Sequence, residues 1–265
     1  DHGTYPFVTS SNTVAAQAAT AFALIGGISG MRSVHLGRRS PWTLVWMLGC
    51  LLWQIAFLAH RGQERMACPL GDRGEFLAFL AWSLTVFYVL VGPTYRISLL
   101  GVFTAPLVVA LQGIALIPGV LTEKPTPLPG GNAWHETHSA TSVLAMGALA
   151  LAAVAGVMFL TLNHQLKERH LKSGLFRNLP PVRELLTSLT RLLWLGLTLL
   201  TVGIVAGFMM PDHAEAMPHL IAALAMWGAY LSLLLTKTYR GMTGRSLSLA
   251  CIGLFLSSLS VFALL

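Results

Sequence analysis

Residues 138–162 read HSATSVLAMGALALAAVAGVMFLTL and contain no Asp, Glu, Lys or Arg. A helix that crosses a bilayer needs about 20 consecutive, mostly apolar residues, and this run is long enough. The run does not alternate apolar with polar residues, so it does not fit a strand of a membrane barrel. It therefore predicts a membrane-spanning helix and sets the pattern for reading the rest of the chain.

Similar apolar runs recur along the whole sequence. Because lipid leaves no backbone group free to bond water, we expect each of them to be a helix. The first run is the weakest and is rich in small residues. The eight predicted spans are residues 14–31, 41–60, 75–93, 98–119, 138–162, 186–210, 217–236 and 246–265.

The composition agrees with a membrane environment. The 265 residues are 55% hydrophobic and only 10% charged, whereas a soluble domain carries about 25% charged residues. Such a chain has too little polar surface to face water all round. We therefore predict an all-α, polytopic membrane helix bundle of about eight transmembrane helices, with the lipid bilayer as its main partner.

The distribution of positive charge predicts the orientation. Loops on the cytoplasmic side of membrane proteins carry an excess of Lys and Arg. If both termini lie outside, only Arg61, Arg65, Arg73 and Lys124 fall in outer loops. The inner loops then hold most of the cations, namely Arg32, Arg38, Arg39, Arg96, Lys167, Arg169, Lys172, Arg177, Arg183, Lys237, Arg240 and Arg245. The net charge of +7 is thus explained by the excess of Lys and Arg in the inner loops, which indicates the orientation of the chain. No nucleic-acid partner is expected.

Histidines gather on the predicted outer side. Two outer segments, GGNAWHETHSATS and MMPDHAEAMPHLIAALAMWGAY, each place a pair of histidines near acidic residues where a helix begins. Glu136 lies beside the first pair, and Asp212 and Glu215 lie beside the second. The outer histidines are His2, His60, His135, His138, His213 and His219.

This pattern is typical of iron ligation. Neutral imidazole is the commonest protein ligand for metals and for haem iron, and a neighbouring carboxylate can hold the second ring nitrogen. We expect His138 and His219 to be metal ligands that hold haem from two helices, with Trp134 and Trp227 packing on the porphyrin. Zinc is not expected, because the chain has no HExxH motif or His/Cys quartet. The alternative for any single outer histidine is an interfacial role in the headgroup zone.

The C-terminal part resembles the HemX/CcsA-type cytochrome c assembly family. The run MWGAYLSLLLTKTYRGMTGRSLSLACIGLFLSSLSVFALL is similar to the end of that family, with Trp227, Tyr230, Gly241, Gly244 and Arg245 at its pattern positions. The run that begins at His138 is similar to the family's His-led helix. Segments ACPLGDRGEFLAFLAWSLTVFYVLVG and RISLLGVFTAPL also fit, so the resemblance covers about residues 22–265.

The resemblance implies a protein of about eight helices that handles haem during c-type cytochrome maturation in a bacterial inner (plasma) membrane. Other maturation subunits are then candidate partners. The better-known members present haem beside a Trp-rich motif ending in Trp-Asp, flanked by His ligands. Here the corresponding place reads PDHAEAMPH. The smaller, HemX-like branch shares this degenerate form and has a histidine near this position, and His219 lies about one residue from the spacing to Trp227 that the resemblance implies.

The first residues differ from the rest. GTYPFVTSSNT resembles a signature of adenylosuccinate synthetase, a soluble purine enzyme, over about residues 1–20. The chain offers neither the sheet nor the phosphate loop of such an enzyme. We therefore interpret residues 1–20 as a remnant segment and residues 21–265 as the transmembrane, cytochrome c assembly-like domain.

Three functions remain open from the sequence. The leading one is a haem-handling protein of c-type cytochrome biogenesis, which performs no bond-making chemistry and is not an enzyme. The second is a transporter of a small solute or ion, for which Gln54, Pro106 and Gln112 are the deep polar candidates. The third is a membrane regulator of haem synthesis that acts through the basic inner loop 163–185.

Overall fold

The computed structural model describes residues 11–36, 41–94, 98–121, 125, 127, 132–167, 182–211 and 217–264. Within these ranges the chain is helical and forms no strand, which confirms the predicted all-α bundle. The eight described helices are α1 (Ser11–His35), α2 (Trp42–Arg65), α3 (Arg73–Thr94), α4 (Ser98–Ala115), α5 (Ala133–Lys167), α6 (Val182–Phe208), α7 (Met217–Tyr239) and α8 (Gly244–Leu264).

Six of the described helices are long and apolar enough to cross a membrane, namely α1, α2, α3, α5, α6 and α7. The apolar parts of α4 and α8 are shorter, at Leu99–Ala115 and Gly244–Ser260. Each of the eight predicted spans corresponds to one of these helices. The chain is therefore a multi-pass membrane protein.

Helix α5 lies at the centre of the bundle. It packs against α6 and α8 on one side and against α3 and α4 on the other. In its most apolar window 83% of the residues are buried, against 22% for α7 at the edge of the bundle. The prediction that residues 138–162 form an apolar spanning helix is confirmed, and this helix also joins the α1–α4 group to the α6–α8 group.

The ends of the helices differ from the predicted spans. Helix α5 begins at Ala133, before the apolar run, and continues to Lys167 beyond it. Helix α1 begins at Ser11, so the predicted boundary between residues 20 and 21 falls inside a helix. Apolar content marks where lipid surrounds a helix, whereas capping and the intrahelical hydrogen bonds decide where the helix ends.

Candidate functional site

The start of α5 is fixed by a side-chain cap. The Asn132 side-chain oxygen accepts a hydrogen bond from the Trp134 backbone N–H at 3.0 Å, as an N-cap residue does. Glu136 lies in the first turn, where a negative charge favours the positive end of the helix dipole. This cap sets the helical phase of the next turn, which carries His138.

The His138 ring is held by the backbone of α6. Its Nδ1 lies 2.7 Å from the carbonyl oxygen of Gly203. Because a carbonyl oxygen can only accept a hydrogen bond, Nδ1 carries the proton, and Nε2 retains the lone pair that a metal needs. The sequence suggested that a carboxylate such as Glu136 would hold the second ring nitrogen of this histidine. The structure instead assigns that role to a backbone carbonyl.

Two glycines one turn apart on α6 allow this approach. A side chain at Gly207 would begin 2.9 Å from His138 Nδ1, and one at Gly203 would begin 2.9 Å from the Ser142 hydroxyl. Small residues at such spacing let two membrane helices approach closely. Sequence reasoning missed this pair, although the stretch GIVAG at 203–207 shows the spacing.

The N-terminal turn of α7 reaches the same part of α6. Leu220 is fully buried and packs at Gly207, beside the His138 ring. His219 precedes Leu220 and is exposed, since successive residues lie about 100° apart around a helix. The structure thus brings the α7 turn that carries His219 to the level of His138. That both rings hold one iron stays a prediction.

The two tryptophans differ in their surroundings. Trp227 on α7 is partly buried, and its indole N–H donates a hydrogen bond to the Thr201 hydroxyl on α6 at 2.9 Å. Trp134 lies one turn before His138 on α5 and is 47% exposed. Trp227 and His138 therefore hydrogen-bond to α6 only two residues apart, at Thr201 and Gly203. Trp134 lies at the surface.

A buried charge cluster closes the α2–α3 turn. Arg61 is fully buried and donates hydrogen bonds to Glu75 at 2.9 Å and to Asp72 at 3.0 Å. Arg65 lies 3.3 Å from the other Glu75 oxygen, which also accepts the Gly71 N–H at 2.8 Å. The sequence predicted Arg61 and Arg65 as outer-loop cations only. Their ion pairs were missed, although Asp72 and Glu75 have the spacing of a capping box.

Cys68 lies in the same turn and faces the start of α5. Burial raises the pKa of its thiol to about 11, and the negative charges of Glu136 and Glu75 add to the rise, while Arg65 lowers it. A thiol with such a pKa is protonated and unreactive at neutral pH. The α2–α3 turn and the first turn of α5 therefore lie within electrostatic reach of each other.

Residues 71–265 match the family described as cytochrome c assembly protein. The chain belongs to this cytochrome c assembly family. Its relatives include the cytochrome c biogenesis protein CcsA of Microcystis aeruginosa, 25% identical over 72% of this chain and 74% of that protein. The CcsA of Gloeobacter violaceus is 24% identical over 77% of each chain. That of a Synechococcus strain is 30% identical over 49% of this chain and 38% of the relative.

The match confirms the family that the C-terminal run and the His-led helix indicated. The resemblance of residues 1–20 to adenylosuccinate synthetase is not borne out, and residues 1–10 lie outside the described part of the chain. The matched region of the cytochrome c assembly family contains all of α3–α8, including His138 and its α6 contacts. Helices α1 and α2 precede it.

Of the other candidate histidines, the structure describes His60 and His135. His60 pairs with Glu64 on its own helix at 3.6 Å, His135 is exposed, and His213 lies outside the described residues. In the described ranges no three His, Cys, Asp or Glu residues come together in a way that could hold a metal ion.

The structure also bears on the residues of the two alternative functions. Gln54 and Gln112 line one cavity of about 20 Å³, which has room for about one water molecule. Pro106 lies inside α4 and is not among the residues that line this cavity. Most of the basic loop 163–185, including Arg169 and Lys172, lies outside the described residues, so its regulatory role stays a prediction.

Proposed function

We propose that this protein handles haem as a cargo in c-type cytochrome assembly and that His138 is the ligand to the iron. The observation that carries the proposal is the 2.7 Å contact between His138 Nδ1 and the Gly203 carbonyl. A histidine that ligates a metal usually donates its second ring N–H to a carbonyl or carboxylate, which fixes the tautomer and the ring orientation. His138 meets this requirement through the Gly203 carbonyl.

The surroundings of His138 support a large, flat, apolar cargo. Trp134 is exposed one turn away on the same helix, and Trp227 is anchored to Thr201 on the neighbouring helix. Aromatic side chains favour such cargo through their large apolar faces. His219 is the second ligand in this proposal, because its helical turn contacts α6 beside His138.

Haem supplies its own iron chemistry when it is bound. This chain's contribution is to orient one imidazole, to hold its proton on Nδ1 and to surround the cargo with apolar helices. The proposal therefore assigns the protein no bond-making step. It places haem at the outer face of a bacterial inner membrane, where other maturation subunits would receive it. The relatives' role in cytochrome c biogenesis supports this assignment.

The test is the haem content of the purified protein, measured by the pyridine haemochrome spectrum after expression with haem supply. The His138→Ala variant should lose most of the haem. His135→Ala is the matched control, because His135 lies three residues earlier on the same helix but is exposed, and it should retain haem. Absence of haem from the wild type, or equal haem in both variants, would refute the proposal.

A further inference from the structure

Two buried amides lie within the α1–α4 group. Gln54 on α2 is 3% exposed and Gln112 on α4 is 5% exposed. Both side-chain polar atoms of Gln54 and the Oε1 of Gln112 have no protein hydrogen-bond partner. The Gln112 side chain also hydrogen-bonds the Cys50 thiol, one turn from Gln54 on α2. A buried polar group without a hydrogen-bond partner is unfavourable, so three such atoms on two side chains require an explanation.

The Gln54 and Gln112 side chains both line a single cavity of about 20 Å³. Its walls come from all four helices of this group and are otherwise apolar, as Ala19, Phe57 and Ala78 illustrate. A cavity of about 10–15 Å³ is enough for one water molecule, provided that two to four polar partners are present. A larger solute would not fit.

We propose that this cavity is a binding site for one ordered water molecule that bridges Gln54 and Gln112. The water donates hydrogen bonds to the Oε1 atoms of both side chains and accepts one from Gln54 Nε2. This arrangement gives each of the three amide atoms one hydrogen-bond partner and uses three of the four hydrogen bonds that a water molecule can make. The bridge ties α2 to α4.

The cavity lies close to the buried charge cluster of the α2–α3 turn. Phe57 lies one turn before Arg61, and Ala78 one turn after Glu75, so the cavity lies about one helical turn beneath the buried charge cluster. Gln54, Arg61 and Arg65 belong to α2, which precedes the family-matched region, whereas Gln112, Asp72 and Glu75 belong to that region. The bridging water and the ion pairs are thus two sets of polar contacts between the α1–α2 pair and the family-matched helices.

Buried polar contacts are well suited to an interface between membrane helices. In lipid, burying apolar surface contributes little to the association of two particular helices. Buried polar groups can make that association specific through hydrogen bonds. A hydrated amide pair favours one register of α2 against α4, because a shift of either helix would leave the amides unpaired. The site does not depend on haem binding.

The test is water-edited solid-state NMR of the protein in liposomes, with the glutamine side-chain amides labelled with ¹⁵N. Magnetisation passes at short mixing times only from water to nearby amides. Gln63 is exposed at the end of α2 and serves as the hydrated reference. We expect Gln54 and Gln112 to receive magnetisation as Gln63 does, and Gln54→Met to abolish the transfer to Gln112. Transfer to Gln63 with none to Gln54 and Gln112 would overturn the proposal.

A thermal-unfolding cycle provides a second measurement. Gln54→Met and Gln112→Met should each lower the melting temperature, because each leaves the partner amide with fewer hydrogen bonds. The double variant should lose no more than the worse single variant, because it leaves no unpaired amide in the cavity. Gln63→Met is the matched control and should leave the melting temperature unchanged. Additive losses in the double variant would contradict the bridge.

Discussion

His138 Nδ1 lies 2.7 Å from the Gly203 carbonyl oxygen. This backbone oxygen of α6 therefore holds the proton of the His138 ring on Nδ1 and leaves the lone pair on Nε2. The contact joins the central helix to its most extensive neighbour. It exists because α6 presents glycines at 203 and 207 on the face that meets α5. The orientation of the His138 ring therefore depends on backbone packing as much as on the histidine itself.

Substitution Gly207→Ala should disturb His138 without removing it. The new methyl group would begin 2.9 Å from Nδ1 and would also meet Leu220, which forces the ring or the helices apart. Overpacking of this kind costs about 1–3 kcal/mol. We expect a lower melting temperature together with a loss of bound haem, measured on the same preparation.

Gly228→Ala on α7 is the matched control for that experiment. A methyl group there would meet no atom within 4 Å, and replacing a helical glycine by alanine stabilises by up to about 1 kcal/mol. Haem content and stability should therefore be equal to or above those of the wild type. Equal losses in both variants would show that the Gly207 effect does not act through His138.

Substitution Glu75→Gln should destabilise the α2–α3 turn strongly. Glu75 is fully buried and pairs with Arg61 and Arg65, so its neutralisation leaves a buried guanidinium undercompensated. Removing one partner of a buried pair costs about 3–5 kcal/mol. Glu64→Gln, which affects a surface pair with His60, should change stability by less than about 1 kcal/mol. Similar melting temperatures for both variants would contradict the cluster's structural role.

Cys68 should react with thiol reagents only at high pH. Its pKa of about 11 exceeds the ordinary value of 9.0 by two units, so the thiolate fraction near pH 8 is about a hundredfold lower than in a free thiol. With Cys50 and Cys251 replaced by alanine, the alkylation rate should still be rising above pH 9. Glu136→Gln removes a negative charge and should shift the profile to lower pH. A plateau near pH 9 in the unsubstituted site would contradict the structure.

The orientation is tested by labelling single cysteines in a cysteine-free background. His135→Cys at the start of α5 and His164→Cys near its end are both exposed positions on opposite sides of the predicted membrane. A membrane-impermeant maleimide added to intact cells should label the first variant and reach the second only after permeabilisation. The reverse pattern would place both termini inside.

Much of the fold could be predicted because lipid imposes a simple requirement. Each apolar run had to become a helix, and residues 138–162 indeed lie within α5, although their sequence did not indicate that α5 is the central helix. The exact ends could not be predicted, because α5 begins at a cap, Asn132, outside the apolar run. Helix α2 likewise continues to Arg65, where the chain turns through a left-handed residue, Met66 (φ 56°).

The candidate site was only partly predictable, because its contacts are made between helices that are distant in the sequence. The composition around a helix start identified His138, but its partner is a carbonyl 65 residues away, and no side-chain pattern indicates a carbonyl. Arg61 looked like a solvated cation because the helix was expected to end before it. Which groups become partners depends on which helices pack together, and hydropathy does not determine that.

The central claim is that His138 offers Nε2 to iron, and chemical rescue tests it most directly. His138→Gly removes the imidazole and leaves space for a free one. The account predicts that the purified variant lacks the haem absorption of the wild type and regains it when imidazole is added, whereas His135→Gly needs no rescue. Wild-type haem absorption in His138→Gly before any imidazole is added would contradict the account.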